Sequence, residues 1–474
     1  MKKILIIISS VVLLQSCKDF LSREPVEQIS INTQLSTKRG VLEALNGAYV
    51  TYRSSILFYA KFSYGDLLSG NLGFSPNPSG SNAGVIAAYN QVDLLYNFDD
   101  VTISSELNSF YTTSYQAINN INLILQYVDE LADATTNEKN QIKAECLALR
   151  ASLHFELLKI YSQNYTYTAD ASHLGIIYNT APVKVGIDYP ARKTVAESAD
   201  LLVEDITNAI ELFTDNKALP VGLDKNFMSR NAAKMIASEI YLWKNDWQNA
   251  FDVSNDLILN SGISLASSSD YTTSWALAES VLELTNNKEN NSSLEAIYNY
   301  DSQSSYSKFA ISNDVYSLFD NNDLRLNLYE QQSLNTRLSS GNQNLPYTFT
   351  KKYKMGVAGL VYRITEAYFI RAESALNLGN TSQALQDINS VRQRAGLQNI
   401  TSLSIDDLLI EKRKEFLCEN KYFFDLMRYH KNIVREDGCI SNNCNPTYPF
   451  DKFVAPIPQN AIEYNGNMVQ NPSY

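Results

Sequence analysis

Basic charge is scarce in this 474-residue chain, where 39 Lys and Arg stand against 51 Asp and Glu for a net charge of −12. Nucleic acid is thereby excluded as a default partner, because phosphate contacts need a basic face. Histidine is nearly absent: His154, His173 and His430 lie far apart and match no metal-ligand spacing. The chain also lacks a phosphate-binding loop, a GxGxxG after a strand, a GxSxG and a CxxC, so no cofactor and no metal are expected. Tryptophan is rare, with three residues against 30 Tyr and 19 Phe. Tyr in such excess serves amphipathic surface as well as core. Hydrophobic residues still make up 45% of the chain and charged ones 19%, which supplies a core and excludes global disorder.

No long apolar run marks a membrane span. Lys2 and Lys3 precede an uncharged stretch from Ile4 to Leu14, eleven residues that would rise about 16 Å as a helix, well short of the roughly 20 residues a bilayer needs. Residues 1–16 read instead as a secretory signal. Its ending, Leu14-Gln15-Ser16-Cys17, resembles the lipobox of bacterial lipoproteins, which implies that Cys17 is acylated and becomes the mature N-terminus. Acyl chains at about 0.8 kcal/mol per buried methylene would make that anchor permanent. Loss of the two leader lysines leaves 37 basic residues against 51 acidic ones, a net charge of −14. Anionic headgroups repel such a surface, so the tether has to hold it at the membrane. Residues 17–35, with Pro25 and no periodicity, read as a spacer.

An exported chain sits where disulfides persist. Cys439 and Cys444 flank the turn-like Ile440-Ser441-Asn442-Asn443, and a bond closing that small loop is expected. Cys146 shares an apolar stripe with Ile142, Leu149 and Leu153, which predicts a buried, inert thiol, and Cys418 is read in the same way.

Helical periodicity dominates the chain beyond the spacer. Val41, Ala44, Leu45, Ala48 and Tyr49 open the fold, and a long helix carries Phe110, Tyr115, Ile118, Ile121, Leu125 and Val128. Its neighbour runs from about 137 to 161, and the short turn at 134–137 predicts that the two pack antiparallel. A further helix is expected over about 194–213. Self-comparison finds a repeat: Ser238-Glu239 through Leu242, then Asn245 to Ala250, aligns without gaps on Ala372-Glu373 through Leu376, then Gly379 to Ala384. A helix, a tight Gly/Asn turn and a second helix with an early Ala are similar to a tetratricopeptide repeat. Trp243 and Trp247 fall at that turn and are read as helix packing.

Two stretches break the pattern. Residues 62–100 hold Gly65, Gly70, Gly73, Pro76, Pro78, Gly80 and Gly84. Residues 261–355 are rich in Ser, Asn and Tyr, with alternating runs at Ala296-Ile297-Tyr298-Asn299-Tyr300 and Tyr347-Thr348-Phe349 that read as strands. Long irregular segments in a folded chain are usually functional, so both are assigned to ligand contact. The fold class is mostly α, a tetratricopeptide-like helical-repeat core over about 36–61, 101–260 and 362–430 with long irregular insertions and a few short strands. A C-terminal segment, 431–474, completes a single domain from 36 to 474.

Glu366, Glu373, Glu411, Arg413, Glu415, Asp425 and Arg428 invite a catalytic reading. Their placement on repeat helices beside Phe416, Phe423 and Phe424 favours paired ions that fix helix register, and no enzymatic activity is expected.

In the same C-terminal third, Arg363-Ile364-Thr365-Glu366 leads to Arg371-Ala372-Glu373, then to Asn389-Ser390-Val391-Arg392 and Arg394-Ala395-Gly396. Glu411-Lys412-Arg413, Glu415-Phe416, Asp425-Leu426-Met427-Arg428, Pro456-Ile457-Pro458 and Gln470-Asn471-Pro472-Ser473-Tyr474 come next in order. With Cys17-Lys18-Asp19-Phe20-Leu21, Glu145 through Arg150-Ala151, and Asp323-Leu324-Arg325, the sequence resembles the SusD/RagB family of outer-membrane lipoproteins over nearly its whole length. Lys421 stands where that family usually has Gly, and Tyr422 where it often has Arg. The resemblance implies a surface-exposed, lipid-anchored lid over a SusC-like TonB-dependent transporter, which binds oligosaccharide and passes it on unaltered. Peptide ligands, or a scaffold that binds only protein, are the alternatives. A glycan site wants aromatic faces with carboxylate or amide groups beside them. Within the two irregular segments those requirements select Asp66, Asn71, Phe74, Tyr89, Tyr96, Trp275, Tyr298 and Tyr300.

Overall fold

In a computed structural model the described residues are 30–87, 92–214, 216–273, 275, 277–284, 293–353 and 359–474. The leader, Cys17, most of the spacer and Tyr89 lie outside them.

The first half is a run of paired helices: α1 (Lys38–Ile56), α2 (Tyr59–Leu68), α3 (Asn108–Tyr127), α4 (Thr136–Tyr161) and α5 (Val195–Leu212). Sequence starts α4 with a capping box. Thr135 Oγ1 accepts from the Glu138 N–H at 3.3 Å, and the Glu138 carboxylate accepts from the Thr135 N–H at 2.8 Å. Thr194 and Glu197 repeat the device at α5. The stripe Phe110, Ile118, Ile121 and Ile124 of α3 is buried against α4, whose Ile142, Leu149, Leu153 and Leu157 are buried in turn.

The internal repeat appears as α6 (Arg230–Trp243) with α7 (Trp247–Asn260), and α8 (Ile364–Asn377) with α9 (Thr381–Arg394). Asn245 and Gly379 occupy the same left-handed turn position, with φ of 58° and 80°. Each is followed by a side chain that caps the next helix: Asp246 Oδ1 accepts from the Asn249 N–H and Asn380 Oδ1 from the Gln383 N–H, both at 3.3 Å. Ala250 and Ala384 are fully buried where the paired backbones approach. Helices α7 and α8 pack together, so two segments over a hundred positions apart form one solenoid. Trp243 is buried between Phe155 and Tyr165, at 5.8 and 5.4 Å, and fastens that solenoid to α4. Helices α10 (Ile405–Glu415) and α11 (Tyr422–Arg428) close the helical part.

Residues 162–194, expected within the helical core, contain no helix. The stretch 261–355 is more ordered than its composition predicts. Residues 293–298, which include the first part of the expected strand at Ala296, form a helix, and the chain becomes extended only at Tyr300. A four-stranded antiparallel sheet has the order β1-β5-β7-β6, with β1 Leu72–Phe74, β5 Phe309–Ile311, β6 Tyr329–Leu338 and β7 Gly341–Thr350. Strand β2 (Ser280–Leu284) pairs with β8 (Gly359–Arg363), and β3 (Tyr300–Ser302) with β4 (Ser305–Tyr306).

The carboxylates and arginines of the C-terminal third are structural. Glu415 is fully buried and accepts from Arg325 at 3.2 Å, from Arg363 at 2.7 Å, from Tyr271 at 3.1 Å and from Arg394. Burial alone would raise its pKa, but the three guanidiniums hold it well below the usual carboxylate range. Glu279, Asp323, Glu411 and Glu419 supply the remaining counter-charge. Lys421 is likewise spent inside the protein, bridging Glu239 and Glu366 at 2.7 and 2.8 Å. Cys439 and Cys444 are disulfide-bonded, and Cys146 and Cys418 are buried free thiols.

Candidate functional site

Six of the eight residues selected from the sequence are buried. Asp66 ends α2 with no exposed surface, accepting from Asn71 Nδ2 and from the Asn420 N–H, both at 2.8 Å. Burial pushes its carboxyl up to about 6. Asn71 Oδ1 accepts from Arg413 Nε at 2.7 Å, so this pair clamps α2 to the C-terminal helices. Phe74 packs edge-on to Tyr96 at 5.0 Å, and the Arg435 guanidinium lies 4.3 Å from the Tyr96 ring centre. Trp275 is 0% exposed, 5.7 Å from Tyr353 and 5.0 Å from Lys352 Nζ. Tyr298 lies against Tyr353 and Phe309. These six side chains build the junction between sheet and helices, and burial leaves them no face for a ligand. Tyr89 lies outside the described residues, and Tyr300 is half-buried at the surface.

Tyr300 stands where the two irregular segments meet. Strand β1, from the first, pairs with β5, from the second, in the register Leu72–Ile311, Gly73–Ala310 and Phe74–Phe309. Because strand side chains alternate, Leu72, Phe74, Phe309 and Ile311 all face the helical core. Gly73 and Ala310 therefore face outward, and the pairing of Ile311 with Thr348 sets Phe349 beside them on that outer face. Ala310, Phe349 and Leu334 form a second small apolar cluster. Tyr300 and Tyr306 lie over it, paired across β3 and β4 with ring centres 6.1 Å apart and planes 17° apart. Each is about 6 Å from Phe349, at 5.6 and 6.0 Å. Tyr347 joins the cluster, its hydroxyl bonded to Thr336 Oγ1 at 3.1 Å.

Glycine leaves a recess in this floor: among the described residues, a Cβ at Gly73 would meet no atom within 4 Å. Polar groups edge it. Lys308, two residues before Ala310 and hence on the same face, bonds Asn77 Oδ1, and Gln303 Nε2 donates to the Ser333 carbonyl at 3.3 Å. Residues 301–305 are all exposed. Partial burial raises the Tyr306 and Tyr347 hydroxyls above their ordinary range, so both are neutral donors at neutral pH. Among the described residues no group of three His, Cys, Asp or Glu side chains is placed to hold a metal ion. What the outer face offers is half-buried aromatic rings, open space at Gly73, and hydroxyl, amide and amine groups at the edge. Sequence reasoning misses Tyr306 and Tyr347, although the alternation at Tyr347-Thr348-Phe349 marks the strand that sets Tyr347 and Phe349 on one face.

Two family models match the chain. One described as "SusD family" covers residues 337–474, and one described as "Starch-binding associating with outer membrane" covers 26–242. A SusD-like protein of Bacteroides ovatus is 20% identical over 494 aligned positions, spanning 91% of this chain and 83% of that protein. Among solved structures, a putative sugar binding protein from Bacteroides vulgatus superposes with a TM-score of 0.80 at 24% identity, covering 93% of this chain and all of that one. Surface glycan-binding protein A from Bacteroides uniformis has a TM-score of 0.73 at 18% identity, covering 92% and 99%. Among the described residues no helix is long and apolar enough to cross a membrane. With separate matches at both ends and one fold throughout, the chain belongs to the SusD family.

Proposed function

We propose that the protein captures oligosaccharide in the tyrosine-walled recess over Gly73 and passes it to a SusC-like TonB-dependent transporter. The single observation behind this reading is the outer face of the sheet, where both irregular segments contribute to one surface of stacked Tyr300 and Tyr306 beside the open space at Gly73. Sugar rings present an apolar face to such aromatics and hydroxyls to amides and amines at the edge. Starch binding in one family description, and glycan binding in the name of a structural neighbour, support the ligand class. The chemistry is binding and transfer, with Glu366, Glu373, Glu411, Glu415 and Asp425 committed to buried ion pairs. Acylation of Cys17 holds the protein at the outer-membrane surface, and the residues up to about 29 act as the tether, because Ile31–Gln34 is already helical and Leu35 is buried in the core.

Titration of the mature chain against oligosaccharides and against mixed peptides checks the ligand class. Binding to oligosaccharides alone is expected, and binding to peptides alone overturns the reading. Co-purification with the transporter encoded beside it checks the partner. Cys17→Ala should release the protein from membrane fractions, and continued co-sedimentation without acyl label would contradict the anchor.

A further inference from the structure

A second cavity, of about 950 Å³, shares no residue with the recess. Its walls are α3, the non-helical stretch 177–190 and the C-terminal segment 458–468. Internal hydrogen bonds hold these walls in place. Asn122 Nδ2 donates to the carbonyls of Asn179 and Ala181 at 3.0 and 3.1 Å, and Asn119 Oδ1 accepts from the Val183 N–H at 2.7 Å. Asn465 donates to the Pro190 carbonyl at 2.8 Å, and Asn467 to that of Tyr189 at 2.7 Å. The cleft is thus preformed, as ligand sites usually are, and its size lies near the top of their usual range of roughly 300–1,000 Å³.

Its lining is unusual for a chain with 90 charged residues. Eight lining side chains are Asn or Gln and four are Tyr, whereas Asp188 and Glu463 are the only charged ones among the described residues. No described Lys, Arg or His lines it. The nearby Arg192 is turned to the backbone carbonyls of Gly175, Tyr161 and Val469. Much of the amide capacity is unused: the Gln116, Asn120 and Asn460 side chains are exposed with no hydrogen bond among the described residues, and Asn108 Oδ1 is buried without a partner. Each such amide offers both a donor and an acceptor, which suits a hydroxyl. Tyr189 and Tyr464, on different walls, are 47% and 77% exposed, and Val185 and Ile103, at 97% and 80%, extend the apolar edge. Exposed apolar groups gathered at a cleft mark a binding surface.

We infer that this cleft is a second binding site for an uncharged oligosaccharide, separate from the recess over Gly73. Ring faces rest on Tyr189 and Tyr464, and hydroxyls meet Gln116, Asn120 and Asn460. With two carboxylates and no cation among its described lining residues, the cleft disfavours a uronic-acid oligomer by repulsion. The inference extends the proposed function and does not depend on it.

The test is titration of the full mature chain with malto-, xylo- and galacto-oligosaccharides of six units, with a hexagalacturonate and with neutral hexapeptides. Wild type is compared with Tyr306→Ala and with Tyr464→Ala/Asn460→Ala, both cleft positions being exposed, and the melting temperature of each variant is measured alongside. One carbohydrate site should weaken about tenfold or more in the cleft variant and persist in Tyr306→Ala, with hexagalacturonate bound at least about tenfold more weakly than neutral galacto-oligosaccharide. Loss of binding in the cleft variant alone supports the inference even if the recess proves empty. Carbohydrate isotherms unchanged by the cleft variant, equal affinity for hexagalacturonate, or peptide binding lost in its place would overturn it.

Discussion

Replacing Glu415 by Ala removes the one carboxylate that faces three buried guanidiniums and a buried tyrosine hydroxyl. Arg363 and Arg394 keep Glu279, Arg363 keeps Glu419, and Arg325 keeps Asp323 and Glu411, so each cation loses part of its counter-charge and none is left bare. Breaking a buried ion pair on one side costs about 3–5 kcal/mol. Unfolding entropy near 2.1 cal/mol/K per residue gives about 1 kcal/mol/K over a chain of this length, so the melting temperature should fall by about 3–5 °C. Calorimetry of the mature chain reads this directly, with Glu415→Gln as a shape-conserving control. Because the native pKa is depressed, the stabilisation is present above the unfolded value near 4.5 and is lost as pH falls through the lower native one. The gap between wild type and Glu415→Gln should therefore be widest at neutral pH and close in acid. A shift below about 1 °C for Glu415→Ala at pH 7, or a gap that widens in acid, would refute the argument that this network fixes the C-terminal helices.

Other expectations concern single side chains. Asp66 has a raised pKa of about 6, which at 1.36 kcal/mol per unit makes its ionised form cost about 3 kcal/mol of stability. The stability of wild type relative to Asp66→Asn should accordingly fall between about pH 4 and pH 6 and level off above, as measured by urea denaturation. Trp275→Phe should lower stability by about 1–3 kcal/mol while leaving oligosaccharide affinity unchanged, because the ring is wholly buried. Gly73→Ala should leave the melting temperature within about 1 °C, since a Cβ there meets no atom of the described residues within 4 Å, and the bulkier Gly73→Leu should weaken carbohydrate binding on this face in isothermal titration.

Helices were legible because burial writes itself into the sequence at a period of 3.6, and the stripes of α3 and α4 lie where that period puts them. The internal repeat was legible for a sharper reason: Asn245-Asp246 and Gly379-Asn380 each place a left-handed residue before a capping side chain, and few residue types do both. The β6–β7 hairpin was not. Its positions on the side away from Tyr300 and Tyr306, such as Gln331, Ser333, Asn335 and Asn344, are polar and exposed, and only Leu334, Tyr347 and Phe349 mark the side those two rings cover, so alternation is faint in a Ser- and Asn-rich stretch.

The segments that carry the candidate site were legible and the residues that compose it mostly were not. Sequence located both irregular segments, yet it cannot say which of their aromatics turn inward. Phe74 and Tyr298 lie on the core side of the strands and helices that carry them, whereas Tyr300 stands on the outer side, and a shift of one residue in register would exchange such roles. Tyr306 became visible only through its pairing with Tyr300. The amide-lined cleft went unseen because residues 162–194 fall between two strongly periodic helices, although the stretch itself lacks any sustained apolar period. The excess of Tyr is explained in part by both surfaces, with one Tyr pair over the sheet, another in the cleft wall and the remainder in aromatic packing of the core.

Tyr306→Ala tests the central claim most directly. The ring is half-buried and stacked on Tyr300, away from the main core, so the variant should fold with an unchanged melting temperature. Loss of one aromatic face is worth about 1 kcal/mol, so affinity for the oligosaccharide bound in the recess should fall about five- to tenfold in isothermal titration. An unchanged isotherm from a folded Tyr306→Ala protein would contradict oligosaccharide capture on the outer face of the sheet.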